Sequence, residues 1–476
     1  MKIKELLLQN KTFKQIIIKN LSWLFLSEII TRFLTAILTI FIARILGAQD
    51  YGFLAFAISF TGFFIIIKNF CYDEIVIREY NQREEVKKEL GSILWFKIFL
   101  GISAFSLILI FSFLAGNQSV QRLIIIFGVV VLLKSIFEFL TSLFKALHKM
   151  EYVALVNILE IIILSGTIFY ILFYAPNLIF ISYAYLAAAI LSLLCSIFIA
   201  KRLKVLSQPV LDLKVIKNYF LLSWPLAIGS IFAIIYIQID SIMMGFLGMT
   251  KEVGWYQAAY KITSFVTFPG AIIASVFYPS ISKFYKENKD YFKRITNIFL
   301  ESIAFFTFPA VVGGYILKKK IIFFIYGESF SPSVFAFQFL IFCSGYILFI
   351  IFMNYILNAT GRQKIIFYTG GAGAALNLVL NIILIPRYSL YGAAVATFFT
   401  YSLLFILRLA AVKKIKNSFD FKVILPSFLA VAVMGIFLYS GLLTSYNLMV
   451  QIIVAGLVYF CVFLLIKKIK KNGKRF

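Results

Sequence analysis

Apolar residues run along this chain in blocks of about 20, separated by short polar turns. The two-residue alternation of a half-buried strand is almost nowhere present. A helix of that length crosses about 30 Å of hydrocarbon, whereas a barrel strand needs about ten alternating residues. The pattern predicts an all-α membrane protein with about 14 transmembrane helices. Their approximate ranges are 21–43, 51–70, 92–114, 123–143, 153–174, 179–200, 218–247, 253–279, 295–317, 333–357, 364–385, 390–411, 422–440 and 446–466. An even count puts both termini on one side.

The pattern also repeats itself. "ARILGAQDYGFLAFA" aligns with "MGFLGMTKEVGWYQAA" on one inserted residue, and "FKALHKMEY" (144–152) echoes "ILNATGRQK" (356–364). Spans 1–6 and 7–12 therefore read as two copies entering from the same side, a parallel repeat about the membrane normal. Transporters built this way bind substrate near the midplane and rock one half against the other. The expected organisation is a basic amphipathic segment (1–20), an N-terminal six-helix bundle (21–208), a C-terminal six-helix bundle (209–415), and two appended helices with a basic tail (416–476).

Composition agrees with a membrane chain: 62% of residues are hydrophobic and 14% charged, against roughly half and a quarter in soluble domains. The net charge of +26 does not imply nucleic acid, because the cations sit in clusters between apolar blocks. They favour alternate turns: the lysines before Asn20, Arg78 to Lys88, Lys145 and Lys149, Lys201 to Lys217, Lys283 to Arg294, Arg362 and Lys364, Arg408 to Lys422, and the tail from Lys467. The other turns hold Arg44, Arg122, Lys251, Arg387 and the run Lys318–Lys320. That bias predicts cytoplasmic termini; the expected location is the cell (cytoplasmic or inner) membrane. The Lys318–Lys320 run is the misfit and marks a misplaced helix end. Cys71, Cys195, Cys343 and Cys461 lie in or beside apolar runs, and their spacing implies neither disulfides nor zinc. No Walker loop is present, no cofactor or metal is expected, and the lone His148 falls in an inner turn. The outer turns are too short for an extramembrane catalytic domain, which disfavours an integral-membrane glycan polymerase or glycosyltransferase. The stretch 73–89 reads as an amphipathic surface helix.

Ionisable groups inside spans are expensive, roughly 2.5 to 3.5 kcal/mol each at a helix centre, and usually face a cavity or a partner. Span 1 carries Glu28 and Arg32, followed by Thr35 and Thr39; span 4 carries Lys134 and Glu138. Both pairs have the i,i+4 spacing of a local ion pair. Span 7 carries Tyr236 and Asp240. Span 8 carries Gln257, Tyr260, Lys261 and Ser264, with Lys261 at a depth where it could pair with Asp240. Span 5 adds Asn157 and Glu160, span 10 Asn354 and Asn358, and span 11 Asn377 and Asn381. Local pairs can merely neutralise each other and asparagines can merely join helices. Their concentration in spans 1, 4, 5, 7, 8, 10 and 11, with few in 3, 6, 13 and 14, predicts a central polar cavity. Arg32, Lys134 and Lys261 supply its positive charge, and spans 13 and 14 form lipid-facing periphery.

These motifs resemble a known family. "SEIITRFLTAILTIFIARILGAQDYGFLAFAISF" is similar to the opening of the polysaccharide-biosynthesis flippases, the Wzx-type O-antigen and exopolysaccharide translocases; Arg32, Arg44, Gly47, Tyr51 and Gly52 match. Span 7, with Pro225 and Asp240, resembles that family's "P-L … D … LG" helix, and "VGWYQAAYKI", "LNATGRQK" and "ALNLVLNIILIPRYSLYGAAVAT" resemble its later signatures. The resemblance covers nearly the whole chain and extends to the superfamily that also holds lipid II flippases and MATE drug exporters. It implies two six-helix bundles in a V shape, and translocation of undecaprenyl-pyrophosphate-linked oligosaccharide by alternating access. The implied partners are that lipid-linked substrate, membrane lipid, and polysaccharide polymerase and assembly proteins. On this reading Arg32 and Lys134 attract the pyrophosphate. Glu28, Gln257 and Lys261 line the cavity with them, while Tyr236, Tyr260, Asn354 and Asn377 meet sugar hydroxyls. Asp240 and Glu160 serve gating or ion coupling. The alternatives are a MATE-like cation-coupled exporter, which would want a net acidic cavity, and a lipid II flippase.

Overall fold

The computed structural model describes residues 13–205, 210–415, 419–443 and 445–472, and its regular elements there are helical. In chain order they are α1 (Phe13–Phe63), α2 (Ile65–Asn69), α3 (Tyr72–Tyr80), α4 (Val86–Ser112), α5 (Gln118–Ala146), α6 (Met150–Tyr174), α7 (Leu178–Arg202) and α8 (Leu213–Phe246). They continue with α9 (Thr250–Glu287), α10 (Lys289–Ile316), α11 (Lys318–Tyr326), α12 (Ser333–Ala359), α13 (Gln363–Lys413), α14 (Leu425–Tyr439) and α15 (Leu448–Asn472).

Among the described residues, 12 stretches are long and apolar enough to cross a membrane. The difference from 14 lies in α1 and α13, each 51 residues long and broken midway. The first breaks at Gly47 (φ 80°, ψ 176°), a backbone conformation open essentially to glycine alone. The second breaks at Ser389 (φ 52°, ψ −131°), three residues after Pro386, whose ring and missing N–H interrupt a helix. Each long helix thus holds two of the expected apolar runs. Polar turns start other helices through side-chain caps: Asn117 for α5, Asn177 for α7 and Asn288 for α10 accept from the first free backbone amides.

Two expectations change here. The Lys318–Lys320 run marks no misplaced helix end: α10 stops at Ile316, within one residue of the expected end at 317, and Lys318 opens the separate short helix α11. Lys318 Nζ donates to Gln338 Oε1 at 2.7 Å and lies 4.1 Å from the Tyr315 ring centroid, so its charge is solvated by protein groups. The stretch 73–89 is not a surface helix either. It forms α3, a turn and the start of α4, with Tyr72, Ile75, Val76 and Val86 in the core.

The chain forms two compact units. Unit 1 comprises Met1–Ile234 with Gly245–Gly254, and unit 2 comprises Ile235–Met244 with Trp255–Phe476. The expected boundaries at 208/209 and at 416 fall outside the described residues, as do residues 1–12 of the basic N-terminal segment. From Phe13 onward that segment is already α1, and Lys19 is buried against Glu151 on α6 at 3.2 Å. The core of unit 1 packs α3, α4 and α5 around Tyr72, Ile93, Phe139, Phe144 and Tyr219. In unit 2, α14 and α15 pack on α10 through Met434, Leu448 and Phe463. Their polar ties are Tyr459, whose hydroxyl donates to the Phe305 carbonyl at 2.9 Å, and Lys467, 2.7 Å from Glu301. The opposite faces of α14 and α15 leave Ile436, Tyr439, Ile453 and Leu465 exposed.

Candidate functional site

In unit 1, span-borne charges sort into an exposed pair and an enclosed network. Arg32 Nε donates to Glu28 Oε1 at 2.6 Å within α1, as their i,i+4 spacing predicts. The side chains remain 47% and 53% exposed, although both lie inside the expected first span (21–43). Thr35 and Thr39 turn their hydroxyls back onto the carbonyls of Thr31 and Thr35 and extend no polar stripe of their own.

Lys134 and Glu138, the other i,i+4 pair, do not join each other. Each finds its partner on a neighbouring helix: Lys134 with Glu160 of α6, and Glu138 with Lys68 of α2 at 2.7 Å. Helix packing brings opposite charges closer than the local spacing does, and it leaves Lys134 also over the Phe137 ring at 4.3 Å. Beside them Lys97 of α4 donates to Asn69 Oδ1 and Asp73 Oδ2, both at 3.1 Å, and Ser135 links to the Lys97 carbonyl at 3.0 Å. Lys97 is fully buried. Span 3, expected to hold few polar groups, holds this one buried lysine near its start. The sequence reading missed Lys68, Asp73 and Lys97. The signal was a single lysine within each of the apolar runs "GFFIIIKNF" and "SILWFKIFL".

Unit 2 gathers its polar groups around Asp240. That carboxylate is 2% exposed. Its Oδ2 accepts from the Tyr256 hydroxyl at 2.6 Å and the Thr397 hydroxyl at 2.7 Å, and its Oδ1 from Asn381 Nδ2 at 2.5 Å. Asn381 also donates to Asn377 Oδ1, and Asn377 donates to Thr400 at 3.2 Å. The break at Ser389 makes this possible. Asn377 and Thr400 are 23 residues apart on α13, about 35 Å along an unbroken helix at 1.5 Å per residue. The groups that donate to its carboxylate are neutral, from α9 and α13.

The other expected residues of unit 2 are on α8, α9 and α12. Gln257 donates to Ser241 at 2.7 Å, and Tyr260 stacks on Tyr256. Tyr236 meets the Tyr401 ring edge-on at 5.8 Å. Arg408 itself, counted from sequence among the cations of an inner turn, is buried on α13 and donates to Thr369 at 3.2 Å. Tyr236, Gln257, Tyr260, Lys261 and Asn354 keep partial exposure, whereas Asn377 is enclosed with Asp240. The predicted cavity set is thus divided: Glu28, Arg32, Lys134 and Glu160 in unit 1, the remainder in unit 2. Among the described residues no group of three or more His, Cys, Asp or Glu is placed to hold a metal.

Residues 17–285, more than half the chain, match the model of the family described as polysaccharide biosynthesis protein. The chain belongs to that family. An uncharacterised membrane protein of Methanocaldococcus jannaschii is 24% identical over 95% of both chains. The probable flippase AglR of Haloferax volcanii is 32% identical over 38% of each. Among solved structures, the lipid II flippase MurJ in an inward closed conformation superposes with a TM-score of 0.76, at 18% identity, over 95% of this chain and 99% of that one. The family match, the membrane-protein relative and the long apolar helices make this a multi-pass membrane protein, and its fold is shared with MurJ.

Proposed function

We propose that this polysaccharide-biosynthesis family member is a flippase that carries undecaprenyl-pyrophosphate-linked oligosaccharide from the inner to the outer leaflet by alternating access, with both termini cytoplasmic. The observation that carries the reading is the half-exposed Arg32–Glu28 pair inside the expected first span. Charge at that depth is strongly disfavoured against hydrocarbon, so this face meets water or a polar ligand. Arg32 and the partly exposed Lys134 attract the pyrophosphate, for which a guanidinium offers paired donors. Tyr236, Tyr260 and Asn354 meet sugar hydroxyls, with Gln257 and Lys261 beside them. Asp240 serves gating or ion coupling, and Glu160 joins it by holding or releasing Lys134. Supporting the coupling role, Asn381 Oδ1 is buried beside the Asp240 carboxylate and accepts no hydrogen bond among the described residues. It adds a second oxygen acceptor there. No step of the transport cycle breaks a covalent bond, so these groups act by binding and release.

The test is lipid extraction from cells lacking this gene, with mass spectrometry of polyprenyl-linked sugars. Accumulation of an undecaprenyl-pyrophosphate oligosaccharide on the inner leaflet, with loss of surface polysaccharide, is the expected result and names the cargo. Unchanged glycolipids together with new sensitivity to cationic drugs overturn the reading. Complementation with Arg32→Ala is expected to fail while the variant inserts and accumulates normally. Wild-type transport in that variant removes Arg32 from the mechanism.

A further inference from the structure

We infer that unit 2 holds a phospholipid headgroup site beside the first turns of α10, suited to a phosphate joined to an ammonium, as in an aminophospholipid. The inference stands apart from the transport reading and needs only a chain that spans a membrane. The site is a cleft of about 490 Å³ between α10 and the short helical turn Phe421–Ile424 that leads into α14. Asp290, Lys293, Arg294, Asn297 and Ile298 of α10 line it, with Val423 from the turn. Glu301, the deepest α10 residue of the cleft, is already neutralised by Lys467 of α15 at 2.7 Å. The expected span over this helix begins at 295, so the cleft straddles the level where hydrocarbon gives way to headgroups. In the proposed orientation that level is the cytoplasmic one.

Three charges of the cleft remain uncompensated. Asp290 and Arg294 have the i,i+4 spacing of a local pair, yet among the described residues neither they nor Lys293 form an ion pair. The free amides of the helix start are not what attracts a ligand, because Asn288 Oδ1 already accepts from the Asp290 and Tyr291 amides at 3.0 Å each. Asn297 is fixed in place. Its Oδ1 accepts from the Asp420 amide at 2.8 Å, and its amide NH2 has no partner among the described residues. Lys470 of α15 donates to the Lys422 carbonyl at 3.3 Å, so that helix also holds the turn.

The order of groups along α10 follows the order of atoms in such a headgroup. From the hydrocarbon outward come exposed, apolar Ile298, the donor Asn297, the cations Lys293 and Arg294, and the carboxylate of Asp290. An aminophospholipid runs from acyl chain through ester and phosphate to ammonium. Basic pockets between helices at this level take phospholipid headgroups, and a guanidinium beside an ammonium holds phosphate through charge-assisted hydrogen bonds. Asp290 precedes Arg294 by four residues, about 6 Å along the axis, a separation that the two-carbon link between phosphate and amine spans. A purely anionic headgroup would instead set its outer end against the Asp290 carboxylate. Exposed Ile298, Phe421 and Leu425 leave apolar surface beside the cleft for the acyl chains.

The experiment is native mass spectrometry of full-length protein released from mixed micelles holding equal amounts of phosphatidylethanolamine, phosphatidylglycerol and phosphatidylcholine. Wild-type protein is expected to retain phosphatidylethanolamine in preference to the other two. Lys293→Gln combined with Arg294→Gln is expected to lower that retention about tenfold or more, as loss of a charge-assisted hydrogen bond does. Asp290→Asn is expected to keep the lipid and lose the preference over phosphatidylglycerol. Unfolding midpoints in lipid-free micelles that match wild type show that these variants fold. Equal retention of the three lipids by wild-type protein, or undiminished retention by the double variant, overturns the site. A preference for phosphatidylglycerol, or an unaltered preference in Asp290→Asn, overturns the aminophospholipid assignment. Displacement of the lipid by excess soluble phosphoethanolamine makes a free phosphate ester the occupant and overturns the lipid.

Discussion

Replacing Lys97 by methionine separates structural charge from functional charge in this protein. Lys97 is fully buried, and its ammonium bridges Asn69 and Asp73 at 3.1 Å across the junction between α2 and α3. Phe70 and Cys71, which make that junction, both hold left-handed backbone (φ 45° and 56°), a conformation that bulky residues adopt at a cost of about 1–2 kcal/mol each. Methionine keeps the length of the side chain and leaves the buried Asp73 carboxylate without its cation. Removing one partner of a buried pair costs about 3–5 kcal/mol, because the remaining charge is uncompensated. Adding Asp73→Asn removes that charge, and the double variant should recover about 2 kcal/mol of the loss. The exposed Arg32–Glu28 pair provides the contrast: Arg32→Ala should cost no more than about 0.5 kcal/mol in stability while abolishing transport. The assay is unfolding of purified protein in mixed micelles, titrated with denaturing detergent and followed by tryptophan fluorescence. A Lys97→Met variant within about 1 kcal/mol of wild type, or a double variant no more stable than the single, refutes the assignment of Lys97 as a buried structural cation.

Asp240→Asn should keep the fold, losing about 1–3 kcal/mol as Tyr256 and Thr397 exchange a charged acceptor for a neutral one. It should also abolish the dependence of transport on the coupling ion, measured as liposome flux against imposed proton and sodium gradients. An unaltered ion dependence takes Asp240 out of the coupling role. Tyr459→Phe deletes the hydroxyl that donates to the Phe305 carbonyl and should lower stability by about 1 kcal/mol with transport unchanged. A transport defect matching loss of an active-site residue would show that α15 takes part in the cycle.

The sequence by itself determined what depends on local composition and spacing. Apolar run lengths placed the crossing helices, because each run must satisfy its own backbone hydrogen bonds in lipid. The i,i+4 geometry of Glu28 and Arg32 was enough to pair them. The repeated turn was visible as a repeat, and Asp240 as a charge in need of an explanation.

Tertiary structure alone decided where partners come from other helices. Lys134 and Glu138 have the same spacing as Glu28 and Arg32, yet each leaves its helix-mate for a nearer charge on α6 or α2. Lys97 and Asp73 read as an isolated lysine and part of a surface helix until packing enclosed both. The donors to Asp240 are 16, 141 and 157 residues away along the chain, and only the break at Ser389 folds α13 back to deliver two of them. A Cβ at Gly52 would strike the Thr250 carbonyl and one at Gly254 the Ala48 carbonyl, a fit that likewise exists only in the folded chain. Spacing along one helix fixes which side chains share a face, but which charge wins a contact depends on distances between helices, and those exist only after the chain has packed.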